Sequence, residues 1–196
     1  MPQPTYSLAL DISTSVVGVC LLENTTPPSR QPVVLDAVKL TSTKLTTMWD
    51  KADFALSEIV RLVGPTHGPQ VTRIYVEENA KRFAPGLSSA DVILTLAKMN
   101  GIMCFLCHRA FNKAPVIDVN VSSARKAVGF KNTMSDKRPV KDKVFEYVTT
   151  MYPSFPWKQH LAKTGGKKGQ VVFDLEMKDA ADAWVVGVGG SVLNGP

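Results

Sequence analysis

Hydrophobic residues in this chain fall into short apolar runs separated by turn-type residues. Residues 6–11 and 16–23 are two such runs, and the short turn between them predicts a β-hairpin. Residues 33–40 predict a third strand, and residues 72–78 and 116–121 predict two more. Five strands are therefore expected, with the first three leading the chain.

Helical spacing of apolar residues appears between and after the later strands. Five helices are predicted, over residues 46–63, 88–111, 122–128, 137–152 and about 178–193. Strands that alternate with helices and end in a closing helix indicate an α/β fold with a mixed five-stranded sheet flanked by helices. We expect a single domain over residues 1–196. Residues 153–170 contain Pro, Gly and Lys without periodicity, and they predict a long, basic, flexible insertion.

The closing helix begins with two carboxylates, Asp179 and Asp182, ahead of an apolar run. Residues three apart share a helix face, so these like charges repel and raise each other's pKa. A divalent cation is the usual compensation. Taken alone, the pair is better explained as a solvated helix N-terminus, where the helix dipole favours Asp.

Two further acids change that interpretation. Asp11 ends the first strand and Glu77 ends the fourth. If these strands are neighbours, the closing helix can lay Asp179 and Asp182 across the same sheet edge. Four carboxylates could then hold two Mg²⁺ ions, and oxygen-only ligation suits Mg²⁺ or Mn²⁺ rather than Zn²⁺. Strand alternation sends Glu77 and Glu78 to opposite faces, and we favour Glu77 as the ligand.

The charge distribution indicates a polyanionic partner. Formal net charge is +6, and residues 125–168 contain eleven Lys and Arg but three acids. Such density is typical of nucleic-acid binding, although solvated lysines are common on any surface. Basic or aromatic residues near the expected site are the candidate DNA contacts: Lys81, Arg82, Phe83, Arg125, Lys126, Lys131, Lys137, Arg138 and Lys141.

Several features argue for an intracellular, soluble protein that is not secreted and does not bind membranes. Residues 1–5 lack the regions of a signal peptide, and no apolar run approaches the ~20 residues that span a bilayer. Three cysteines argue against a disulfide framework. Cys104 and Cys107 are better explained as buried helix residues than as zinc ligands, because no second Cys/His pair exists. The expected location is the cytoplasm or nucleoid of a host cell, or an organelle.

Several collinear segments together resemble the RuvC-type Holliday junction resolvases. They are residues 8–11 with Gly18, residues 74–77, 97–101 and 179–183, and residues 119–126 with Gly129. The resemblance implies a ribonuclease H-like fold and a homodimer that cuts four-way DNA junctions. It also implies two Mg²⁺ ions per site, with Mn²⁺ able to substitute. The catalytic and metal-binding roles would fall on Asp11, Glu77, Asp179 and Asp182.

This chain departs from the resolvase pattern in three places. Ile12 and Ser13 replace the usual proline-glycine, residues 130–179 form a longer stretch, and Phe83 follows Glu77 at a different spacing. These differences favour a phage, viral or organellar relative, and they affect sequence preference more than chemistry.

Three alternative functions stay open. Residues 11–15 with Gly18 also resemble the phosphate-binding hairpin of actin-like or sugar-kinase-type ATPases. That fold needs two such domains, and it gives no role to Glu77. A non-catalytic nucleic-acid-binding module is the second alternative, and a ribonuclease H acting on RNA–DNA hybrids is the third.

Overall fold

A computed structural model describes residues 3–78, 90–133, 135–166 and 168–195. The main sheet has the strand order β3-β2-β1-β4-β5. β1 is antiparallel to β2 and parallel to β4, and β4 is parallel to β5, so the sheet is mixed. Its strands are β1 (Tyr6–Ile12), β2 (Val16–Glu23), β3 (Pro32–Lys39), β4 (Val71–Glu77) and β5 (Val116–Val119).

Helices cover both faces of this sheet, which confirms the predicted α/β class. They are α1 (Met48–His67), α2 (Ala90–Ala110), α3 (Val121–Ala127), α4 (Val140–Met151) and α5 (Met177–Asn194). The predicted start of α2, at residues 88 and 89, lies outside the described residues. Within α1 the backbone leaves helical geometry at Gly64, where φ is 74°, as the end predicted at residue 63 requires, and residues 65–67 form one further helical turn beyond this kink.

The predicted long loop over residues 153–170 is partly wrong. A two-stranded antiparallel hairpin forms there from β6 (Gln159–Leu161) and β7 (Val171–Phe173). Each strand has only three residues, and most of their side chains are exposed. Such short, exposed strands leave no alternation of buried and exposed positions, so the sequence gives little sign of them.

One face of the sheet packs against α1 and α2 through large side chains. Leu8, Leu10 and Ile74 point from β1 and β4 into a core that also contains Ile59 of α1 and Met103 of α2. These side chains are fully buried. Burial of branched and long apolar side chains is the main stabilising contribution on this face.

The opposite face packs against α3, α4 and α5, and small residues predominate where α5 meets the sheet. A Cβ on Gly187 would lie 2.9 Å from Ala9 Cβ, and one on Gly190 would lie 2.7 Å from the Tyr75 ring. No real side chain tolerates such approaches, so α5 lies closer to the strands than a helix with larger side chains could. Trp184 of α5 is fully buried and donates a hydrogen bond from Nε1 to the Arg30 carbonyl.

α2 is long and apolar enough to cross a membrane by length and composition. This corrects the expectation that no apolar run approaches that length. The observation is weak evidence for a membrane span, because Met99, Met103 and Cys107 of α2 are buried against the sheet. Cys107 is buried, as expected for a helix cysteine, and half-buried Cys104 lies 3.0 Å from Asn100 Oδ1.

Candidate functional site

The ends of β1 and β4 place Asp11 and Glu77 side by side. Leu10 pairs with Val76 in the parallel ladder, so the next residue of each strand is an acid at the same sheet edge. Ala9 and Tyr75 face α5, and alternation puts Asp11 and Glu77 on that same face. Both carboxylates therefore point towards the helix that carries the other two acids.

Gly18 fixes the distance between that helix and the sheet. It is paired with Asp11 across the β1–β2 ladder. A Cβ at Gly18 would lie 2.0 Å from the carbonyl oxygen of Asp179. The first turn of α5 thus rests directly on β2 beside Asp11. This contact requires glycine, and it brings Asp179 and Asp182 to the edge that holds Asp11 and Glu77.

Lys141 of α4 reaches into the group of carboxylates. Its ammonium nitrogen lies 2.5 Å from Asp179 Oδ1, 3.7 Å from Asp182 Oδ2 and 3.9 Å from Asp11 Oδ2. The Lys141 side chain is 42% exposed, whereas that of Asp182 is 7% exposed. A single cation therefore neutralises part of the charge of three acids.

Arg125 of α3 supplies a second cation. Its Nη2 lies 3.6 Å from Asp182 Oδ1, an ion pair longer than a hydrogen bond. Arg125 Nε and Asp182 Oδ1 are both buried, and neither has a hydrogen-bond partner among the residues that the structure describes. A buried carboxylate oxygen without a donor is costly, so Asp182 has capacity for a further cationic or hydrogen-bonding partner.

Burial raises the pKa values of Asp11, Glu77 and Asp182, and repulsion between carboxylates adds to the shifts of Asp11 and Asp182. Burial, followed by repulsion from Asp182 and Glu77, raises the pKa of Asp11 to about 8. Burial raises the pKa of Asp182 to about 6, against the opposing effects of Lys141 and Arg125. Burial also raises the pKa of Glu77. Without additional positive charge, the site therefore retains protons at neutral pH.

The donor set suits a hard divalent cation. Four carboxylates offer only oxygen ligands, as Mg²⁺ and Mn²⁺ prefer, and Asp182 Oδ1 is a buried acceptor without a partner. Within the described residues, however, no group of three or more metal-ligating side chains is already arranged around one point. Three of the four carboxylates, those of Asp11, Asp179 and Asp182, instead lie around the Lys141 ammonium, and metal ligation stays a prediction.

Glu78 lies beside this group but has its own partners. Its backbone N–H donates to the Val119 carbonyl, and its Oε2 accepts from Asn120 Nδ2 at 3.3 Å. Glu77 instead has a side-chain hydrogen bond to Asp11, which lowers its pKa against the effect of burial. A cavity of about 260 Å³ is lined by Asp11, Ser13 and both glutamates, so either one borders the accessible space.

The residues predicted to contact DNA differ in their exposure and in their contacts within the protein. Lys81, Arg82 and Phe83 lie outside the described residues. Arg125 and Lys141 contact the acidic site. The contact of Lys141 with the acids was not foreseen. One signal for it was the apolar series Val140, Val144 and Val148, which marks the buried face of α4, because Lys141 lies next to that face on the helix. The side chains that remain exposed are Lys126, Lys131, Lys137 and Arg138.

Arg138 and Lys143 are already engaged within the protein. Arg138 makes hydrogen bonds to both carboxylate oxygens of Asp136 and to Glu146 Oε2. Lys143, another lysine of the basic stretch, is buried and donates to the Asp136 carbonyl at 2.9 Å. Of the exposed residues, Lys126, Lys131 and Lys137 are therefore the better placed to meet a phosphate backbone.

Solved structures share this fold, although the sequence itself matches no family model and no curated protein. RuvC of Thermus thermophilus in complex with a Holliday junction substrate has a TM-score of 0.61 at 11% identity. The comparison covers 97% of this chain and 98% of that one. Another Thermus thermophilus RuvC structure has a TM-score of 0.57 at 12% identity, covering 96% and 94%.

The yeast mitochondrial Holliday junction resolvase is also similar, with a TM-score of 0.51 at 12% identity. There the comparison covers 94% of this chain and 77% of that one. These likenesses confirm the RuvC-type, ribonuclease H-like fold that the sequence motifs indicated. At such low identity they concern the fold alone, and function depends on the residues at the site.

Proposed function

We propose that this protein is a metal-dependent endonuclease that cuts branched DNA, with four-way junctions as its preferred substrate. The observation that carries the proposal is the meeting of Asp11, Glu77, Asp179 and Asp182 at one sheet edge, where raised pKa values mark an unmet need for positive charge. The junction-bound Thermus thermophilus RuvC supports the choice of substrate, because its fold is shared over nearly the whole chain.

In this proposal Asp11, Glu77 and Asp182 hold Mg²⁺, with Asp179 as the fourth carboxylate. When bound, Mg²⁺ supplies an activated water and neutralises charge on the reacting phosphate. Arg125 and Lys141 border the same edge and add positive charge where the phosphodiester would lie. The exposed lysines of the basic stretch hold the DNA backbone without reading its sequence.

A four-way junction has approximate two-fold symmetry, and symmetric cleavage needs two sites. We therefore propose a two-fold homodimer on DNA, with one site on each protomer. Sedimentation of the protein with and without a junction tests this. A monomer that nicks both strands at equal rates would contradict it.

The decisive experiment is a Mg²⁺-dependent digest of a synthetic four-way junction, a flap, a linear duplex and an RNA–DNA hybrid. We expect the junction to be cut fastest. Asp11→Asn should slow cleavage at least about 100-fold, the loss that removing one transition-state-stabilising group typically causes, while junction binding persists. Asp53→Asn, at an exposed position on α1, is the matched control.

The outcome of the digest and of binding assays distinguishes the endonuclease from the three alternative functions. Preferential cleavage of the hybrid would identify a ribonuclease H, and junction binding without cleavage in any metal would identify a non-catalytic module. Nucleotide-dependent thermal stabilisation would favour the ATPase. Glu77→Gln and Glu78→Gln form a further matched pair, and we expect the greater loss from Glu77→Gln because Glu77 contacts Asp11.

A further inference from the structure

The β6–β7 hairpin exposes an apolar surface that the protein itself does not cover. Leu161 and Val171 are directly paired across the two strands, so their side chains lie on the same face. They are 62% and 63% exposed. Leu175, just after β7, is 70% exposed. We call Leu161 and Val171 the apolar tip. An exposed apolar group of this kind usually marks a binding surface.

The charge around the apolar tip favours a polyanion as its partner. Residues 158–170 contain four lysines and no acid. Lys158 is paired with Asp36, 2.5 Å away, at the base of the hairpin. Lys163 and Lys168 are exposed at the turn, where the ammonium groups have no ion-pair partner among the described residues. A protein or lipid partner would explain the apolar residues, but it would not by itself require a turn that carries only positive charge.

Packing holds the hairpin beside the acidic site. The rings of Phe173 on β7 and Phe145 on α4 meet edge to face, with centroids 5.2 Å apart. Phe145 follows Lys141 by four residues, so the two side chains share a face of α4 one turn apart. His160 Nδ1 lies 2.6 Å from Asp174 Oδ1, which closes the hairpin base just before α5 begins. The hairpin therefore packs on α4 one helical turn from Lys141, whose ammonium contacts the acids.

We propose that this hairpin contacts the branch point of the DNA substrate. Leu161 and Val171 pack against bases that are unstacked at the branch, and Lys163 and Lys168 bind the phosphates on either side. Apolar side chains that wedge between base steps stabilise distorted DNA, and a branch point already lacks some of its stacking. This inference rests on the proposed function for its substrate, and it adds a branch-reading element outside the carboxylate site.

Binding without divalent metal tests the proposal independently of cleavage. In EDTA, the dissociation constants of the protein for a four-way junction and for a linear duplex of equal length are compared. We expect the double variant Leu161→Ser/Val171→Ser to lose about tenfold in junction affinity and less than twofold in duplex affinity. Val33→Ser/Val60→Ser removes exposed valines from β3 and α1, and it should change neither affinity.

The lysines give a different expected result. Lys163→Ala/Lys168→Ala should weaken junction and duplex binding alike, and it should reduce the slope of log affinity against log salt by about 1 to 2. A 2-aminopurine base at the branch point should change in fluorescence when the wild type binds, and this change should be lost with Leu161→Ser/Val171→Ser. Circular dichroism melts verify that each variant is folded.

Three outcomes would overturn the inference. One is a Leu161→Ser/Val171→Ser variant that keeps the wild-type preference for junction over duplex. Another is a change in the sedimentation of this variant without DNA, which would make the apolar tip a contact between copies of the chain. The third is binding to lipid vesicles that the double variant loses. If the wild type binds junctions through the hairpin but never cuts them, the proposed function fails and the inference stands.

Discussion

The two faces of the central sheet are built in different ways. The face covered by α1 and α2 is filled by large aliphatic side chains such as Ile59 and Met103. The face covered by α5 instead brings the helix close to the strands, with backbone against backbone at Gly18 and with the α5 glycines lying against small or flat side chains such as Ala9 and the Tyr75 ring. The acids of the candidate site belong to the second face. Side chains can repack after a substitution more easily than a backbone contact can, so we expect the first face to govern stability and the second to govern the geometry of the site.

The largest effect should come from Gly18→Ala. The new Cβ would lie 2.0 Å from the Asp179 carbonyl, so the first turn of α5 must move. A displacement of about 1 Å at a reacting centre can cost about 100-fold in rate, and we expect cleavage to fall by about that factor. Overpacking should also cost roughly 1–3 kcal/mol of stability. Junction cleavage and chemical denaturation measure the two effects.

Gly101→Ala on α2 is the matched control, because nothing lies within 4 Å of a Cβ there. Alanine favours the helix by roughly 0.5–1 kcal/mol, so this variant should be as stable as the wild type or slightly more stable. Cleavage should be unchanged. Equal activity of the two alanine variants would remove the distinction between the faces.

Met103→Ala tests the α1–α2 face. Met103 is completely buried, and its truncation should lower the free energy of unfolding by about 2–5 kcal/mol. For a chain of this size, each kcal/mol corresponds to roughly 2–4 °C in melting temperature. At a temperature where the variant remains folded, its cleavage rate should stay within about twofold of wild type, because the acids do not depend on this packing. A 100-fold loss of rate in the folded variant would show that both faces position the site.

A further prediction concerns the pH dependence of the free energy of unfolding in the absence of metal. Asp11, with a pKa near 8, and Asp182, with a pKa near 6, keep protons in the folded state that they lose in the unfolded state above about pH 4. The two protonated carboxyls therefore contribute to the free energy of unfolding at low pH, and this free energy falls as pH rises from about 4 to about 8. Each such group contributes a slope of at most about 1.4 kcal/mol per pH unit.

Urea denaturation in EDTA at pH 5, 7 and 8.5 measures this slope. Asp11→Asn should flatten it, and Asp53→Asn should leave it unchanged. Mg²⁺ should stabilise the wild type more at pH 8.5 than at pH 5, because protons and metal compete for the same oxygens. Equal stabilisation at the two pH values would argue that Mg²⁺ binds elsewhere.

The sequence predicted the main sheet well because its strands are buried and apolar. β2 begins and ends as expected, and β1 differs from the expected strand by one residue. The hairpin of β6 and β7 was missed because its apolar residues face solvent, so no burial pattern distinguishes them from a loop. The end of the regular part of α1 was predictable because glycine followed by proline ordinarily ends a helix, and Gly64 does leave helical geometry.

The site was predictable to the extent that it depends on strand ends. Acids that follow two adjacent parallel strands meet at one edge, and this follows from topology. The position of Lys141 does not follow from topology, because it depends on how α4 is rotated against α5. Lys141 was expected to contact DNA phosphates, and its ammonium lies among the acids instead. The apolar series Val140, Val144 and Val148 indicates which face of α4 is buried, but which residues that face meets depends on packing across the whole interface.

α5 carries two of the four acids, and it is also the most deeply buried helix, with every residue from Ala180 to Ser191 enclosed. Its backbone amides should therefore exchange with solvent deuterium only through global opening of the molecule. Loss of the site on heating should then coincide with loss of the whole fold, without an earlier inactive but folded species. Variants selected for a higher melting temperature should therefore also keep these acids aligned at that temperature, because the site and the fold are lost together.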